Sequence, residues 1–591
     1  MNTDTAAPQI TVLDAGGQYC HLIARKIRDL GVSAEVRPSD TPAQQLSGRK
    51  GIIISGGPGS VYESGAPKID PGILELPGTA VLGICYGLQV MALELGGTVS
   101  KGAKGEYGMA TLQRSHDHPL FAGLNGQTRV WMSHRDRVDA PPPGFRVLAA
   151  TSECPIAAIA HSNRPLLGLQ FHPEVVHTEH GLEIYANFLF GICGCEKDWN
   201  PRGRIPQIEE TIRQIAGDRN VFFFVSGGVD STVAYTLCLR ALGPERVYGI
   251  YVDTGLMREG ETDFVRGLFG ALGATAFQVE NAQEQFLGAL GGVFEPEEKR
   301  KRIGEEFVAV QDRILSSGDF LDGRWILGQG TIYPDTIESG GTAKADVIKT
   351  HHNRVAGIQK LIESGRIIEP LNQFYKDEVR ALGRELNIPE EFLTRHPFPG
   401  PGLAIRCLCS GGEAELEEVD DGFVIPVRSV GVQGDSRSYR AALLVNGAAH
   451  DANIHARATE AVNRSLECNR VVALCAGEKP ENLRVMRAFI TGERLERLRR
   501  VDAAVRKLSA QSGFDHQVWQ FPVILIPVGV EGRPDSVVLR PIHSVDGMTA
   551  ESVVMPAELL DRICEEALRV RGVAAVFYDL THKPPGTIEW E

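Results

Sequence analysis

The sequence lacks an excess of positive charge: 61 Lys and Arg stand against 75 Asp and Glu, which gives a net charge of −14 over 591 residues. No long basic tract compensates for this deficit, so a nonspecific nucleic-acid binder is a poor hypothesis. No window approaches about 18 consecutive apolar residues, and we therefore expect no membrane span. The opening segment, MNTDTAAPQI, does not combine a charged region with an apolar stretch. We expect no signal peptide and a cytoplasmic protein.

Closely spaced cysteines are also scarce. The 11 cysteines are scattered, and only Cys193 with Cys195 and Cys407 with Cys409 form Cys-x-Cys pairs, neither followed by a second pair at zinc-ribbon spacing. This predicts reduced thiols rather than disulfides or a zinc ribbon. Apolar residues make up 43% and charged residues 23% of the chain, which excludes disordered and fibrous classes. The 65 glycines favour an enzyme with many tight turns over a helical scaffold.

Apolar runs that alternate with helical segments predict an α/β architecture for the first two thirds of the chain. Gly51–Ser55 and Ala80–Ile84 are examples of such runs, typical of buried strands in a mostly parallel sheet with helices on both faces. A polar segment after Cys195 and the Pro/Gly-rich segment His396–Gly402 predict two boundaries. At roughly 150 residues per domain we expect about four domains, and the predicted regions are 9–198, 199–402 and 403–591.

The last region contains a weak internal similarity. Val424–Val430 is similar to Val537–Val545, and Asn469–Leu474 is similar to Val573–Tyr578. We interpret this as two related α+β units, about 403–480 and 481–591. A chance similarity between strand-like segments is the alternative.

A cysteine stands where an enzyme would hold a nucleophile. Cys85 lies in Gly83-Ile84-Cys85-Tyr86-Gly87, after an apolar strand and before a helical run. This is the pattern of a nucleophile elbow, in which the glycines permit a sharp turn and the helix N-terminus favours a thiolate. A buried structural thiol is the alternative for Cys85 taken alone.

Two further features favour the catalytic interpretation. His172 and Glu174 follow another strand, and their spacing lets Glu174 orient the imidazole. The turn after residues 52–54 contains Gly57, and its backbone amides, together with the amide of Tyr86, can form an oxyanion hole. These motifs resemble the class I glutamine amidotransferases over residues about 9–195. The resemblance implies that Cys85 attacks the glutamine amide and releases ammonia, with His172 as base and then acid and Glu174 as its orienter.

A glycine-rich loop follows the apolar run 221–225 and opens a helix. Its backbone amides and the helix N-terminus can cradle an anion, and it lacks the Gly-Lys ending of a Walker A loop. A glycine turn that merely caps a helix is the alternative. The loop resembles that of the Rossmann-like ATP pyrophosphatases, which implies that it grips pyrophosphate and that Asp230 meets Mg²⁺. The loop residues are Ser226, Gly227, Gly228, Val229, Asp230, Ser231 and Thr232.

Further segments resemble the glutamine-hydrolysing GMP synthase family nearly from end to end. This resemblance implies that xanthosine 5′-monophosphate (XMP) is the acceptor, adenylylated by ATP at O2 and then aminated at C2. A glutamine-dependent NAD synthetase is the runner-up, although those enzymes usually carry a nitrilase-like glutaminase. An inactive regulatory paralogue is a further alternative. The segments are GQGTIYPD (328–335), KTHHN (349–353), HPFPGPGLAIR (396–406), VGVQGDSR (430–437) and KPPGTIEWE (583–591).

The same resemblance implies further site residues. The basic run 299–302 by itself is typical of a solvated helix face, but the resemblance implies that Arg300 binds a nucleotide. A zinc site at His351 and His352 is the weaker alternative to a lid over ATP, because adjacent histidines rarely ligate one ion. The implied XMP-binding residues are Arg300, Asp435, Gln520, Lys583 and Glu589, and the implied lid residues are Lys349, His351 and His352.

The chain departs from the shorter bacterial pattern, in which one dimerisation unit follows the His396–Gly402 segment. Here the rest of the chain is longer, which resembles the vertebrate-type members of the family and suggests a second unit inserted after Tyr439. Because an internal pair of units can imitate a dimer contact, we expect either a monomer or a homodimer.

Overall fold

The computed structural model describes residues 7–17, 19–124, 127–175, 177–338, 355–420, 422–433, 436–451, 453–455, 457–458, 462, 467–544 and 549–591. The chain divides into two compact units, Met1–Gly203 and Arg204–Glu591. Within the described ranges, no helix is both long enough and apolar enough to cross a membrane. The predicted boundary after residue 402 lies inside the second unit and stays a prediction.

The first unit contains one large sheet and three α-helices among its described residues. The strands follow the order β2-β1-β3-β4-β9-β8-β7-β5-β6 across the sheet. Neighbours from β2 to β9 are parallel, and those from β9 to β6 are antiparallel. The elements are β1 Ile10–Asp14, α1 Cys20–Asp29, β2 Ala34–Pro38, β3 Gly51–Ile54, β4 Ala80–Ile84, α2 Tyr86–Glu94, β5 Thr98–Arg114, β6 Thr128–Ala140, β7 Phe145–Ala150, β8 Ala158–His161, β9 Leu166–Leu169 and α3 Gly181–Ala186.

The parallel strands position the chemistry of this unit. Every residue of β3 and β4 is buried, as expected for strands covered by helices on both faces. Because β1, β3, β4 and β9 are parallel neighbours, their carboxyl ends share one edge of the sheet. That edge carries the turn after β3, Cys85 after β4, and His172 with Glu174 after β9.

The second unit begins with a five-stranded sheet of the order β12-β11-β10-β13-β14, counted over described residues. All of its neighbours are parallel, as predicted for a Rossmann-like region. The elements are α4 Ile205–Ala216, β10 Asn220–Val225, α5 Val229–Leu242, β11 Val247–Asp253, α6 Glu261–Ala271, β12 Ala276–Asn281, α7 Gln283–Ala289, α8 Pro296–Ser317, β13 Trp325–Gly328, α9 Tyr333–Glu338, α10 Ala356–Glu363, β14 Ile367–Ile368, α11 Lys376–Glu385 and α12 Glu390–Leu393.

The remainder of the second unit is α+β. Its main sheet has the order β16-β17-β18-β19-β26-β23-β21 over the described residues, beside the smaller sheets β15-β20-β22 and β24-β25. The elements are β15 Ala414–Glu415, β16 Glu417–Val419, β17 Gly422–Gln433, β18 Ser436–Val445, β19 Cys468–Gly477, β20 Arg484–Val485, α13 Gly492–Ser512, β21 Val523–Ile526, β22 Val528–Gly529, β23 Asp535–Leu539, β24 Ile542–His543, β25 Glu551–Ser552, α14 Ala557–Arg569 and β26 Val573–Asp579.

This main sheet consists of two halves with the same strand directions. In the first half β17 and β18 are antiparallel, and β18 and β19 are parallel. In the second half β21 and β23 are antiparallel, and β23 and β26 are parallel across α14. The central strands β19 and β26 meet antiparallel. The similar segments Asn469–Leu474 and Val573–Tyr578 therefore lie on equivalent strands, whereas Val424–Val430 lies on β17, whose counterpart is β21 rather than β23.

The two halves share their buried layers. Successive residues of one strand enter different layers, as the two-residue period of a strand requires. Leu443 and Val576 pack in one cluster with Leu256 and Phe286 of the first part of this unit. Leu444 and Phe577 pack in the cluster on the opposite face. The two halves are therefore continuous, and the limits of any repeated unit stay a prediction.

Candidate active sites

Cys85 lies at a strained turn between β4 and α2. Its φ of 52° and ψ of −106° are unusual for a residue with a side chain, and such conformations cost about 1–3 kcal/mol. The flanking glycines are needed for space. A Cβ on Gly83 would lie 2.6 Å from the backbone of Gly87, and a Cβ on Gly87 would lie 2.2 Å from the carbonyl oxygen of Ile54. The turn directs the Cys85 side chain to the edge where the parallel strands end.

His172 and Glu174 form a buried pair beside this cysteine. His172 Nδ1 lies 2.7 Å from Glu174 Oε1, and the Tyr185 hydroxyl donates to the other carboxylate oxygen at 3.4 Å. The imidazole is in hydrogen-bonding contact with Cys85. Burial alone lowers the pKa of His172, but the Glu174 carboxylate and the Cys85 sulfur outweigh it and raise that pKa well above its ordinary value. The pair thus favours an imidazolium next to the sulfur.

The turn after β3 packs tightly against this pair. A Cβ on Gly56 would lie 2.9 Å from His172 Cε1 and 3.7 Å from Cys85 Cβ, and a Cβ on Gly57 would lie 2.5 Å from the carbonyl oxygen of Ala15. Tyr86 is the first residue of α2, so its amide has no acceptor within the helix. Backbone amides at these two positions are the proposed oxyanion hole.

A cavity of about 780 Å³ opens onto the sulfur. Sequence reasoning missed two residues that contact the Cys85 sulfur. The side-chain amide nitrogen of Gln170 donates to Cys85 Sγ at 3.5 Å. The backbone carbonyl oxygen of Ser133 lies 3.7 Å from the same sulfur. Ser133 is on β6, 48 residues from Cys85 in sequence, and no motif joined them. The cavity is lined by Gly16 and Gly17 after β1, by residues 56–60 after β3, by Cys85, Tyr86 and His172, and by polar residues that include Gln89, Lys101, Ser133, His134, Arg135 and Asp136.

We expect Glu174→Gln to lower the pKa of His172, because a neutral amide no longer stabilises the imidazolium. Glutamine-driven turnover should fall by about 10²–10⁴-fold, whereas ammonium-driven synthesis should stay unchanged. An NMR titration of the His172 ring and kcat/KM for glutamine measure the two effects. Glu183→Gln, an exposed position on α3, is the matched control. An unchanged His172 pKa in Glu174→Gln would contradict the assigned role.

The glycine-rich loop connects β10 to α5 and is shaped by its own hydroxyl groups. Gly227 has a φ of 74°, a conformation that favours glycine. The Ser226 hydroxyl accepts from the Gly228 amide at 3.2 Å and lies 3.0 Å from the Ser231 hydroxyl. Val229, Asp230, Ser231 and Thr232 form the first turn of α5, whose amides give the end of the loop an anion-binding character.

Asp230 has one paired and one unpaired carboxylate oxygen. Oδ2 lies 2.5 Å from Lys376 Nζ at the start of α11, a partner that lies far away in the sequence and that no motif indicated. Oδ1 is buried and has no hydrogen-bond partner. A free carboxylate oxygen beside an anion-binding loop suits a hard cation such as Mg²⁺.

Gly330 packs against the backbone of this loop. A Cβ at this position would lie 2.7 Å from the Ser231 nitrogen and 2.8 Å from the Asp230 carbonyl carbon. We expect Gly330→Ala to displace the loop and to raise KM for ATP by about 10- to 100-fold. Gly267→Ala is the control, because nothing lies within 4 Å of its added Cβ. A Gly330→Ala enzyme with an ordinary KM for ATP would contradict this packing argument.

The C-terminal tail is embedded in the second unit by buried cations. Arg406 forms two hydrogen bonds to Glu589, at 2.9 and 2.6 Å. Lys299, which is fully buried on α8, pairs with the Glu591 side chain, and Arg300 donates to a backbone oxygen of Glu591. Lys301 and Arg302 of the same run are exposed, so only part of the run is a solvated helix face.

Three family models match the chain. "Glutamine amidotransferase class-I" matches residues 11–192, "NAD synthase" matches residues 205–290, and "GMP synthase C terminal domain" matches residues 507–590. The NAD synthase match alone would fit a glutamine-dependent NAD synthetase as well as a GMP synthase. Relatives that cover the whole chain discriminate between them.

Two such relatives are bacterial and match from end to end, so the long last region is not confined to the vertebrate-type members that it resembles. A "Probable GMP synthase [glutamine-hydrolyzing]" of Leptospira interrogans is 42% identical over 609 aligned residues and covers 99% of each chain. A "GMP synthase [glutamine-hydrolyzing]" of Caldicellulosiruptor saccharolyticus is 42% identical over 98% of this chain and 99% of its own. The chain belongs to the glutamine-hydrolysing GMP synthase family. A solved "putative gmp synthase subunit a protein" of Thermoplasma acidophilum is 34% identical over 31% of this chain and 93% of its own, with a TM-score of 0.29.

The predicted XMP-binding residues of this GMP synthase family member that the structure describes all lie in the second unit. Arg300 donates to a backbone oxygen of Glu591, and Glu589, two residues earlier in the tail, pairs with Arg406. Gln520 is buried and pairs with Ile542 through the backbone, and Lys583 pairs with Ala550 in the same way. Asp435 and the predicted lid residues Lys349, His351 and His352 lie outside the described residues.

Sequence reasoning missed the arginines that hold the tail in this GMP synthase family member. Arg470 and Arg540 are fully buried; both contact Asp579 Oδ2, at 3.3 and 2.7 Å, and both donate to the Thr587 carbonyl oxygen. Neither residue lies in a recognisable motif. Arg470 lies on β19, and Arg540 directly follows β23. Each stands in or next to an apolar run, and this was the available signal, because a buried cation requires a partner.

Proposed function

We propose that this chain synthesises GMP from XMP, ATP and glutamine, with AMP, pyrophosphate and glutamate as the other products. The observation that carries the proposal is a Cys-His-Glu site in one unit together with an anion-binding loop in the other. Relatives match this chain over its full length.

The first unit is proposed to release ammonia. The Cys85 sulfur attacks the side-chain amide carbon of glutamine, and the amide N–H groups of Gly57 and Tyr86 stabilise the oxyanion. His172 donates its proton to the leaving nitrogen, and ammonia departs as the thioester forms. His172 then accepts a proton from the water that hydrolyses the thioester to glutamate. Glu174 holds the ring and stabilises its charged form.

The second unit is proposed to activate XMP. The amides of Ser226–Thr232 hold the phosphates of ATP while O2 of XMP attacks the α-phosphorus and pyrophosphate leaves. Ammonia then adds to C2, and AMP departs. Mg²⁺ bound with ATP would neutralise phosphate charge. The Asp230 carboxylate, with its unpaired Oδ1, is the residue proposed to hold that ion, while Lys376 fixes the other oxygen.

XMP is proposed to bind next to the C-terminal tail. Arg406 orients the Glu589 carboxylate, which can then accept hydrogen bonds from a purine ring. Arg300, Asp435, Gln520 and Lys583 complete the proposed XMP site, and Lys349, His351 and His352 the proposed lid. A cytoplasmic location, a monomeric or homodimeric state and the absence of nucleic-acid partners stay predictions.

A reconstituted assay tests the proposal. Purified protein is supplied with XMP, ATP, Mg²⁺ and either glutamine or ammonium, and GMP, AMP and pyrophosphate are quantified. We expect all three products in equal amounts with both nitrogen sources. The NAD synthase match supports one competing acceptor, so a parallel arm replaces XMP by the carboxylate acceptor of NAD synthetase. Turnover only in that arm, or no GMP from either nitrogen source, would overturn the proposal.

A further inference from the structure

Three potential metal ligands of different types meet in the first unit. Glu106 on β5 and His134 on β6 are direct partners in the antiparallel register, which shifts just before Glu106. Cys154 lies in the connection between β7 and β8. One ligand atom from each residue lies within 4.8 Å of the other two.

Two of these ligand atoms are buried without a hydrogen-bond partner. They are Glu106 Oε2 and His134 Nε2, and they lie 3.4 Å apart. The His134 side chain is 5% exposed. Since leaving a buried polar atom unpaired costs stability, such atoms call for an explanation.

The remaining atoms of these side chains have partners that orient the free ones. His134 Nδ1 lies 3.1 Å from the carbonyl oxygen of Asp136. A carbonyl can only accept, so Nδ1 carries a proton, and Nε2 is the ring nitrogen that can bind an ion when the ring is neutral. Glu106 Oε1 accepts from the Thr151 hydroxyl at 2.9 Å. Metal-binding histidines and carboxylates are held in this way by their second atoms.

Cys154 is fully buried and is positioned by the same threonine, because its amide donates to Thr151 Oγ1 at 3.0 Å. Its thiol donates to the carbonyl oxygen of Ile156 at 3.4 Å. A cysteine binds a metal ion as the thiolate, so binding of a cation would release the thiol proton to solvent.

We propose that Glu106, His134 and Cys154 bind a divalent cation of the Zn²⁺ type. A thiolate, an imidazole and a carboxylate are the ligands that Zn²⁺ accepts, whereas Mg²⁺ and Ca²⁺ prefer oxygen alone. Tetrahedral Zn²⁺ places its ligand atoms about 3.5 Å apart, close to the separation of the free nitrogen and oxygen. The two anionic ligands neutralise the charge of the ion, which makes its burial tolerable.

His134 also lines the cavity that contains Cys85. The cavity would give an ion a path from solvent to the His134 ring. The site uses neither Cys85 nor His172, so it is separate from the glutaminase residues and does not depend on the proposed reaction.

Cobalt binding to the full-length protein tests the proposal. Chelator-treated protein with Cys85→Ala is titrated with Co²⁺, so that the catalytic thiol cannot contribute. We expect one tetrahedral Co²⁺ per chain with a thiolate charge-transfer band, and displacement of that ion by Zn²⁺. Adding Cys154→Ser should abolish the band, and adding Glu106→Gln should weaken binding by about tenfold or more. Glu106→Gln also covers the case in which Cys154→Ser does not fold.

A double Cys193→Ser and Cys195→Ser variant is the matched control. It removes the Cys-x-Cys pair of the same unit and should keep the charge-transfer band. Loss of the band in this control but not in Cys154→Ser would assign the ion to that pair and overturn the proposal. A Cys85→Ala protein that binds no Co²⁺ or Zn²⁺ would also overturn it.

Discussion

Cys85→Ala should lower glutamine-driven GMP formation by at least about a thousandfold and leave ammonium-driven formation unchanged. The substitution removes the proposed nucleophile, and losses of this size are typical when one member of a catalytic triad is removed. Alanine keeps a Cβ, so it meets the strained φ of 52° as cysteine does, and the turn should survive. GMP formation with each nitrogen source, measured on the same preparation, gives the comparison.

Cys195→Ala is the control for this experiment. Cys195 lies in the same unit and is buried, but it does not line the cavity around Cys85. It should keep both activities. If Cys85→Ala lost ammonium-driven synthesis as well, the two sites would not be separable, and the proposed division of labour would be wrong.

Asp230→Ala should reduce GMP formation by at least about a hundredfold with either nitrogen source. The substitution removes the carboxylate whose unpaired oxygen is proposed to meet Mg²⁺, and it leaves Lys376 without its partner at the loop. A positively charged ion that neutralises phosphate typically contributes several kcal/mol to such a step. Glutamine hydrolysis by the first unit supplies ammonia upstream of this step, so added ammonium should not rescue the variant.

Asp263→Ala supplies the comparison for Asp230→Ala. Asp263 lies on α6, is 84% exposed and pairs only with the neighbouring Arg266 in the described contacts. Its removal should leave synthesis intact. Full ammonium-driven activity in Asp230→Ala would exclude the proposed role of the carboxylate, whatever the state of the glutaminase.

Much of each candidate site was predictable because its residues are local in sequence. The turn at Cys85 depends on two glycines within two residues of it, and the loop at Ser226–Thr232 directly follows its strand. Local patterns of this kind report turns and helix starts, since backbone geometry is decided over a few residues. His172 and Glu174 were predictable as a pair for the same reason, and their position near Cys85 was expected because all of these motifs follow strands of one mostly parallel sheet.

Contacts between distant residues that no motif marks were not predictable. Lys376 lies 146 residues from Asp230, and Arg406 lies 183 residues from Glu589. No spacing rule connects such pairs, because the strand order of each sheet decides which loops meet. The paired halves of the last region show the same limit: similarity identified equivalent strands β19 and β26 but matched β17 with the wrong partner.

The sequence by itself predicted the chemical type of the two proposed sites, a thiol nucleophile with a His-Glu partner and an anion-binding loop. The net charge of −14 gave no indication of nucleotide binding, because a net charge averages over the chain and the proposed anion-binding loop uses local backbone amides. Only the tertiary structure decided that Arg406, Arg470 and Arg540 hold the tail, and that Glu106, His134 and Cys154 converge. Such groups meet because sheet register and loop packing set distances that the order of residues along the chain does not encode.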